Sequence, residues 1–247
     1  MRVADLTVAV RSLYSGVRKL CSEYLLDGAP AGSVDLSVAV TRDDIEAERA
    51  LATDDRSWSD VYLETLAVLR AISNQLPQRR RLLVHGAVIQ YGGRAYLFTA
   101  PSGTGKSTHI MLWRQYLGPD VRIINGDKPF LRIPDAADQP AVAYGTPWAG
   151  KEAWQENAHA PLAGIVLLSR SAPGASAVRR LDTSECLDKV LRQVYLPNDA
   201  LAAATTLELL DDLLARTPLF GLACDMSEDA VRASFEALTG QPYRPAL

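Results

Sequence analysis

Between Ala100 and Thr108 the chain reads Ala-Pro-Ser-Gly-Thr-Gly-Lys-Ser-Thr, and no other stretch restricts its fold as strongly. The string follows the pattern Gly-x-x-x-x-Gly-Lys-Ser/Thr of phosphate-binding loops and departs from it at the first position, where Ala100 replaces glycine. Such a loop works only where a strand ends and a helix begins. Its amides must turn toward phosphate oxygens while the new helix points its positive end at the same place. Arg94 to Thr99 reads as that strand and Thr108 to Leu117 as that helix, so an α/β architecture is expected. Ala100 and Pro101 fit because the donating amides come later, and proline has none to give.

The loop predicts roles for its residues. Amides from Ser102, Gly103, Thr104, Gly105, Lys106, Ser107 and Thr108 cradle the phosphates. Lys106 reaches the β- and γ-phosphates of ATP, and the Ser107 hydroxyl ligates a bridging Mg²⁺. Such sites add a carboxylate near the metal, at the end of a neighbouring strand. Asp127 occupies that place after the short strand Val121 to Asn125. It is expected to hold Mg²⁺ or to take the proton of an attacking hydroxyl, the alternative being a turn aspartate after Gly126. Lys128 beside it neutralises transferred phosphate or is a solvated lysine. His85 stands among Leu82, Leu83, Val84, Val88 and Ile89, where periodicity alone reads it as a core residue; His109 and His159 carry weaker claims.

Around the loop, Asp5 to Leu13 and Val34 to Thr41 read as strands and Gly16 to Leu26 as a helix. Polar residues from Arg42 to Asp60 lead into a long helix whose apolar positions Val61, Leu63, Leu66, Leu69 and Ile72 approximate one face; Pro77 ends it. Residues 1–80 are therefore set apart as an N-terminal α+β elaboration for acceptor recognition or assembly, and 81–247 as the core. Leu82 to Tyr91 reads as a strand joined through Gly92-Gly93 to the next. Phe130 to Ile133 and Ala141 to Tyr144 form a further hairpin, and Leu162 to Leu168 a buried strand. Asp182 and Glu185 open a helix through Tyr195, Asp199 to Arg216 form another, and Pro218 to Cys224 and Ser227 to Leu238 close the chain as strand and helix.

The 247 residues are 48% hydrophobic, enough for a substantial core. With a formal net charge of −3, no general positive field exists to hold nucleic acid or an anionic membrane. Three widely spaced cysteines argue against a disulfide framework or a zinc site. No apolar run suits a signal peptide or a bilayer span, so a cytoplasmic location is expected.

From His85 to Asp127 the chain resembles the HPr serine kinase and phosphorylase family and its fold relative PEP carboxykinase. The matching pieces are His85-Gly86, Gly92-Gly93, Ser102 to Ser107, and Asp127. The resemblance implies a P-loop kinase of that type, with a mixed central sheet and flanking helices. It also implies that His85 supports an acidic base which activates a serine hydroxyl on a protein, and that copies assemble into a homo-oligomer. The family carries two adjacent aspartates where this chain has Gly126-Asp127, so one carboxylate serves both metal and hydroxyl. The later arginine-glycine signature is missing.

Gly126-Asp127-Lys128-Pro129, with the run from Tyr144 through Gly150, Lys151 and Glu152, is similar to the HPr-kinase-related proteins of bacterial peptide-modification clusters, lasso-peptide kinases among them. Lys151 and Glu152 supply one charge of each sign to a pocket loop. Arg192 is a candidate to meet the phosphate bidentately. The expected activity is transfer of the γ-phosphoryl group of ATP to a hydroxyl, foremost serine on a peptide or small protein. A kinase of a free small molecule such as serine, or a non-catalytic ATP-binding switch, are the alternatives.

Overall fold

The computed structural model describes residues 1–28, 34–52 and 57–246. The N-terminal part holds β1 (Arg2–Val3), β2 (Leu6–Arg11) and β3 (Leu36–Ala39), with α1 (Gly16–Leu20), α2 (Arg42–Leu51) and α3 (Asp60–Ser73). β2 pairs antiparallel with β1 and parallel with β3. The sequence reading left 42–51 without structure, yet Thr41 and Asp44 close a capping box there, with the Thr41 N–H donating to Asp44 Oδ2 at 2.8 Å. That reciprocal pair satisfies two otherwise orphaned donors and starts the helix.

The remaining chain folds around one mixed sheet. Its strands are β4 (Arg81–Leu83), β5 (Ala87–Tyr91), β6 (Arg94–Thr99), β7 (Arg122–Asn125), β8 (Phe130–Arg132), β9 (Val142–Tyr144), β10 (His159–Arg170), β11 (Ala177–Arg180) and β12 (Leu219–Cys224). They lie in the order β4-β8-β9-β10-β6-β5-β7, while β12 and then β11 extend from the far half of β10. β10 is long enough to do both: residues 159–161 pair antiparallel with β9, and 165–170 run parallel to β12. The expected continuous strand from Leu82 to Tyr91 is instead two strands, because the chain breaks step at His85-Gly86 to bond Gln193 and Asp127.

Helices α4 (Lys106–Leu117) and α7 (Glu228–Thr239) cover one face, and α5 (Thr183–Leu191) and α6 (Ala200–Arg216) the other. β6 shows why its sequence is apolar without alternation. Ala95 and Leu97 enter the core under α6, and Tyr96 and Phe98 enter the core around Trp113 and Phe235. A strand buried on both faces requires such a run. α5 opens as expected, with the Asp182 N–H donating to Glu185 Oε2 at 2.9 Å, but it stops at Leu191, since Val194 and Tyr195 turn to pair with Val84 and Leu83.

The N-terminal part shares its core with this sheet. Leu63, Val68 and Ile72 pack in one cluster with Leu83, Phe130, Tyr144 and Trp148. Trp148 Nε1–H donates to Thr65 O at 2.8 Å, and the Tyr144 hydroxyl donates to Asp5. The segment after β9 is thus anchored from behind by α3 and by the β1–β2 turn. Among the described residues no helix is long and apolar enough to cross a membrane.

Candidate functional site

β6 ends at Thr99, whose hydroxyl donates to His85 O at 2.8 Å. The chain then turns through 100–105 into α4, whose first residue is Lys106. Gly103 and Gly105 adopt φ of +77° and +116°, the left-handed region that side chains disfavour. Both glycines are therefore demanded by the turn that aims the loop at the start of α4. Ala100 is buried, and its carbonyl accepts a hydrogen bond from Lys106 Nζ at 2.8 Å. Burial lowers the Lys106 ammonium from its ordinary value, Asp127 opposes the fall and Lys128 adds to it. The lysine is folded back on its own loop.

A cleft of about 550 Å³ opens over this loop. It is lined by Ser102, Gly103 and Gly105 to Thr108 of the loop, by His85 with Gly126-Asp127, and by Gly150, Lys151 and Glu152, a segment that packs against Asp127. Fold positions far apart in the chain thereby converge. His85 Nε2 lies 3.3 Å from Asp127 Oδ1, and Lys128 Nζ lies 3.1 Å from Oδ2. Burial pushes the Asp127 carboxyl up, but the hydrogen bond from His85 and the charge of Lys128 outweigh it and hold the group below its ordinary value. Asp127 therefore stays ionised and hydrogen-bonded at neutral pH, ready to accept a proton or bind a cation.

Asp127 is held by more than its neighbours in sequence. Asn125, fully buried at the end of β7, accepts the N–H groups of Asp127 and Lys128 on Oδ1 at 2.9 and 2.7 Å. Its Nδ2 donates to Thr146 O at 3.0 Å, and the Thr146 hydroxyl donates to Lys128 O at 2.7 Å. On the other side, His85 Nδ1 lies 2.9 Å from Gln193 Oε1. The sequence reading passed over Asn125 and Gln193. An Asx turn before Gly-Asp would have pointed to Asn125; nothing local points to Gln193, which is 108 positions from its partner.

The space beside Gly126 is filled: a Cβ there would fall 2.8 Å from Ala149 O. The segment that holds Ala149 also brings Glu152, whose side chain is 26% exposed. A Cβ on Gly150 would sit 3.1 Å from Asp127 Cβ and 3.7 Å from Glu152 Oε2, so both carboxylates lie near this glycine. The single carboxylate expected from the sequence thus has a second beside it.

Other candidates sit elsewhere. The Thr104 hydroxyl donates to Pro101 O at 2.8 Å and faces an adjoining cavity. Lys151 is 90% exposed, with Glu152 3.8 Å away. Arg192 lines a separate groove next to Ala100 and Pro101. His109 is buried in the α4 core, where its Nε2 lies 3.1 Å from Ser234 Oγ, and His159 stacks on Tyr144 outside the cleft. Unforeseen was Arg170, which donates to Gly103 O at 2.5 Å and ties the end of β10 to the loop.

No protein-family model and no curated protein matches this sequence. Among solved structures, the chain is similar to the HPr(Ser) kinase/phosphatase from Coxiella burnetii, at 14% identity over 54% of this chain and 93% of that one, with a TM-score of 0.29.

Proposed function

We propose that this protein transfers the γ-phosphoryl group of Mg²⁺-ATP to a hydroxyl, foremost a serine of a peptide or small protein. The observation that carries the proposal is the convergence, in one cleft, of a phosphate-binding loop with a carboxylate backed by histidine. Amides from Gly103 to Ser107, with Lys106, bind the phosphates. The neighbouring cavity of about 640 Å³, lined by Thr104, Leu112, Pro173 and Met226 beside the same glycines, offers the nucleoside room.

A hydroxyl on Ser107, the carboxylate of Asp127 and Glu152 beside it make a hard-oxygen donor set. Such a set suits Mg²⁺ when a triphosphate supplies further ligands. The ion, when bound, would neutralise charge on the transferred group. Asp127 Oδ2 or Oδ1 accepts the proton of the acceptor hydroxyl as its oxygen bonds to phosphorus and the bond to the bridging oxygen breaks, releasing ADP. His85, oriented by Gln193, donates to Asp127 and holds it in place. Lys128 balances the charge that builds on the phosphoryl oxygens.

The test is mass spectrometry of the protein with Mg²⁺-ATP and a panel of peptide and small-molecule hydroxyl acceptors, with Lys106→Ala as control. Nucleotide affinity and transfer are then compared in Asp127→Asn. A gain of one phosphoryl group that disappears in Asp127→Asn, with nucleotide still bound, is the expected result. Undiminished transfer by Asp127→Asn sinks the assignment of the base, and nucleotide binding without any transfer indicates a switch.

A further inference from the structure

Beside the phosphate loop, but outside the cleft, runs a groove of about 530 Å³. Its walls are apolar, formed by Leu167 on β10, Val178 on β11, Leu181 just after β11, and Leu222 on β12. Its rim is basic: Arg179, Lys189 and Arg192 line it, and no acidic residue does, in a chain whose formal net charge is −3. Arg179 is committed to Glu185 at 2.8 Å. Among the described residues the exposed Lys189 ammonium and Arg192 guanidinium have no hydrogen-bond or salt-bridge partner. Two cations from one helix end thus stand over an apolar trough, Lys189 within the field of Glu185 and Arg192 without a side-chain partner among the described residues.

The groove leads to the proposed chemistry. At one end it is lined by Ala100 and Pro101, whose carbonyls receive Lys106 Nζ at 2.8 and 3.4 Å. Gln193 lines it too, and Gln193 holds the His85 ring that faces Asp127. The nucleoside has its own cavity at the start of α4, and a free amino acid in the cleft would leave this groove empty. Taken with the transfer reading above, on which the inference rests, we infer that the groove binds the acceptor as an extended peptide segment. That segment carries an apolar side chain next to one or more carboxylates. The apolar side chain sinks among Leu167, Leu181 and Leu222, the carboxylates meet Lys189 and Arg192, and the hydroxyl passes Pro101 and Gln193 into the cleft. Rim cations select for opposite charge through steering and through the penalty on like charge.

The experiment uses an array of synthetic decapeptides with one central serine and a single varied flanking position, probed with the full-length protein. Two readings are taken: retention of protein with a non-hydrolysable ATP analogue, and phosphoryl transfer with Mg²⁺-ATP. Peptides with Asp or Glu beside Leu or Phe should be retained at least tenfold better than those with Lys or Arg. Lys189→Glu with Arg192→Glu should reverse that order, the paired Gln variants should flatten it, and Asp127→Asn should leave retention intact. Both positions of the charge test are on the surface, so melting temperature checks that the fold is kept. Retention that ignores peptide charge, or that survives charge reversal, overturns the groove assignment even if transfer occurs. Charge-selective retention with no transfer by the wild type leaves the groove standing and overturns the kinase reading.

Discussion

Acid should destabilise this protein through one histidine on the helix that carries the phosphate loop. His109 is 2% exposed, two positions after Ser107, and burial pushes its imidazole from 6.5 down to about 4. Its Nε2 accepts from Trp113 Nε1–H at 3.2 Å and its Nδ1 has no hydrogen-bond partner among the described residues, so a second ring proton gains no acceptor and breaks that bond. The unfolded chain takes up that proton near the ordinary value and the folded chain only near the lowered one. Stability contributed by the neutral ring is therefore complete above the ordinary value and is lost as pH falls toward the lower one. The gap corresponds to roughly 3 kcal/mol in full, and about 2 kcal/mol of it falls between pH 7 and pH 5. His109→Phe keeps a ring against Phe98, 5.1 Å from the histidine centroid, and leaves Trp113 Nε1–H donating to Ser234 Oγ at 2.9 Å. Urea unfolding at the two pH values gives the comparison. Wild type should lose about 2 kcal/mol more than His109→Phe; equal losses within about 0.5 kcal/mol would refute burial of an uncompensated imidazole as the cause.

Two further substitutions probe how the site is built. Gly126→Ala places a Cβ against Ala149 O, and should destabilise by about 1–3 kcal/mol while pushing the Gly150–Glu152 wall outward; unfolding and proteolysis of that wall would show it, and unchanged stability would mean the space is slack. Arg170→Ala removes the tie to Gly103 O and should weaken nucleotide binding severalfold in a calorimetric titration without altering the melting temperature of the free protein, whereas unaltered affinity would make the tie incidental.

Much of the lining of the cleft was legible in the sequence. The phosphate loop is local, six to nine residues whose backbone demands and chemistry are written in adjacent positions, and Asp127 could be placed because its strand is short and apolar. The resemblance raised His85, against the periodicity that read it as core, and the structure puts it at the carboxylate. The capping box at Thr41 was equally local and was passed over because its helix is polar. Arg192 was drawn toward the phosphate by its chemistry alone, and the end of α5 takes it to the neighbouring groove instead.

What the sequence by itself determined is the turn from β6 into α4, with Gly103, Gly105, Lys106 and Ser107, since those requirements span a single strand-loop-helix unit. Only the tertiary structure decided which carboxylates share the cleft, and that Gln193, Asn125, Thr146 and Arg170 hold its parts. Their partners lie 108, 2 to 21, 18 and 67 positions away, and apart from the Asx turn such pairings follow from how strands order in the sheet. The packing of Ala149 against Gly126 was likewise decided there, because steric exclusion between segments leaves no trace in the pattern of either segment alone.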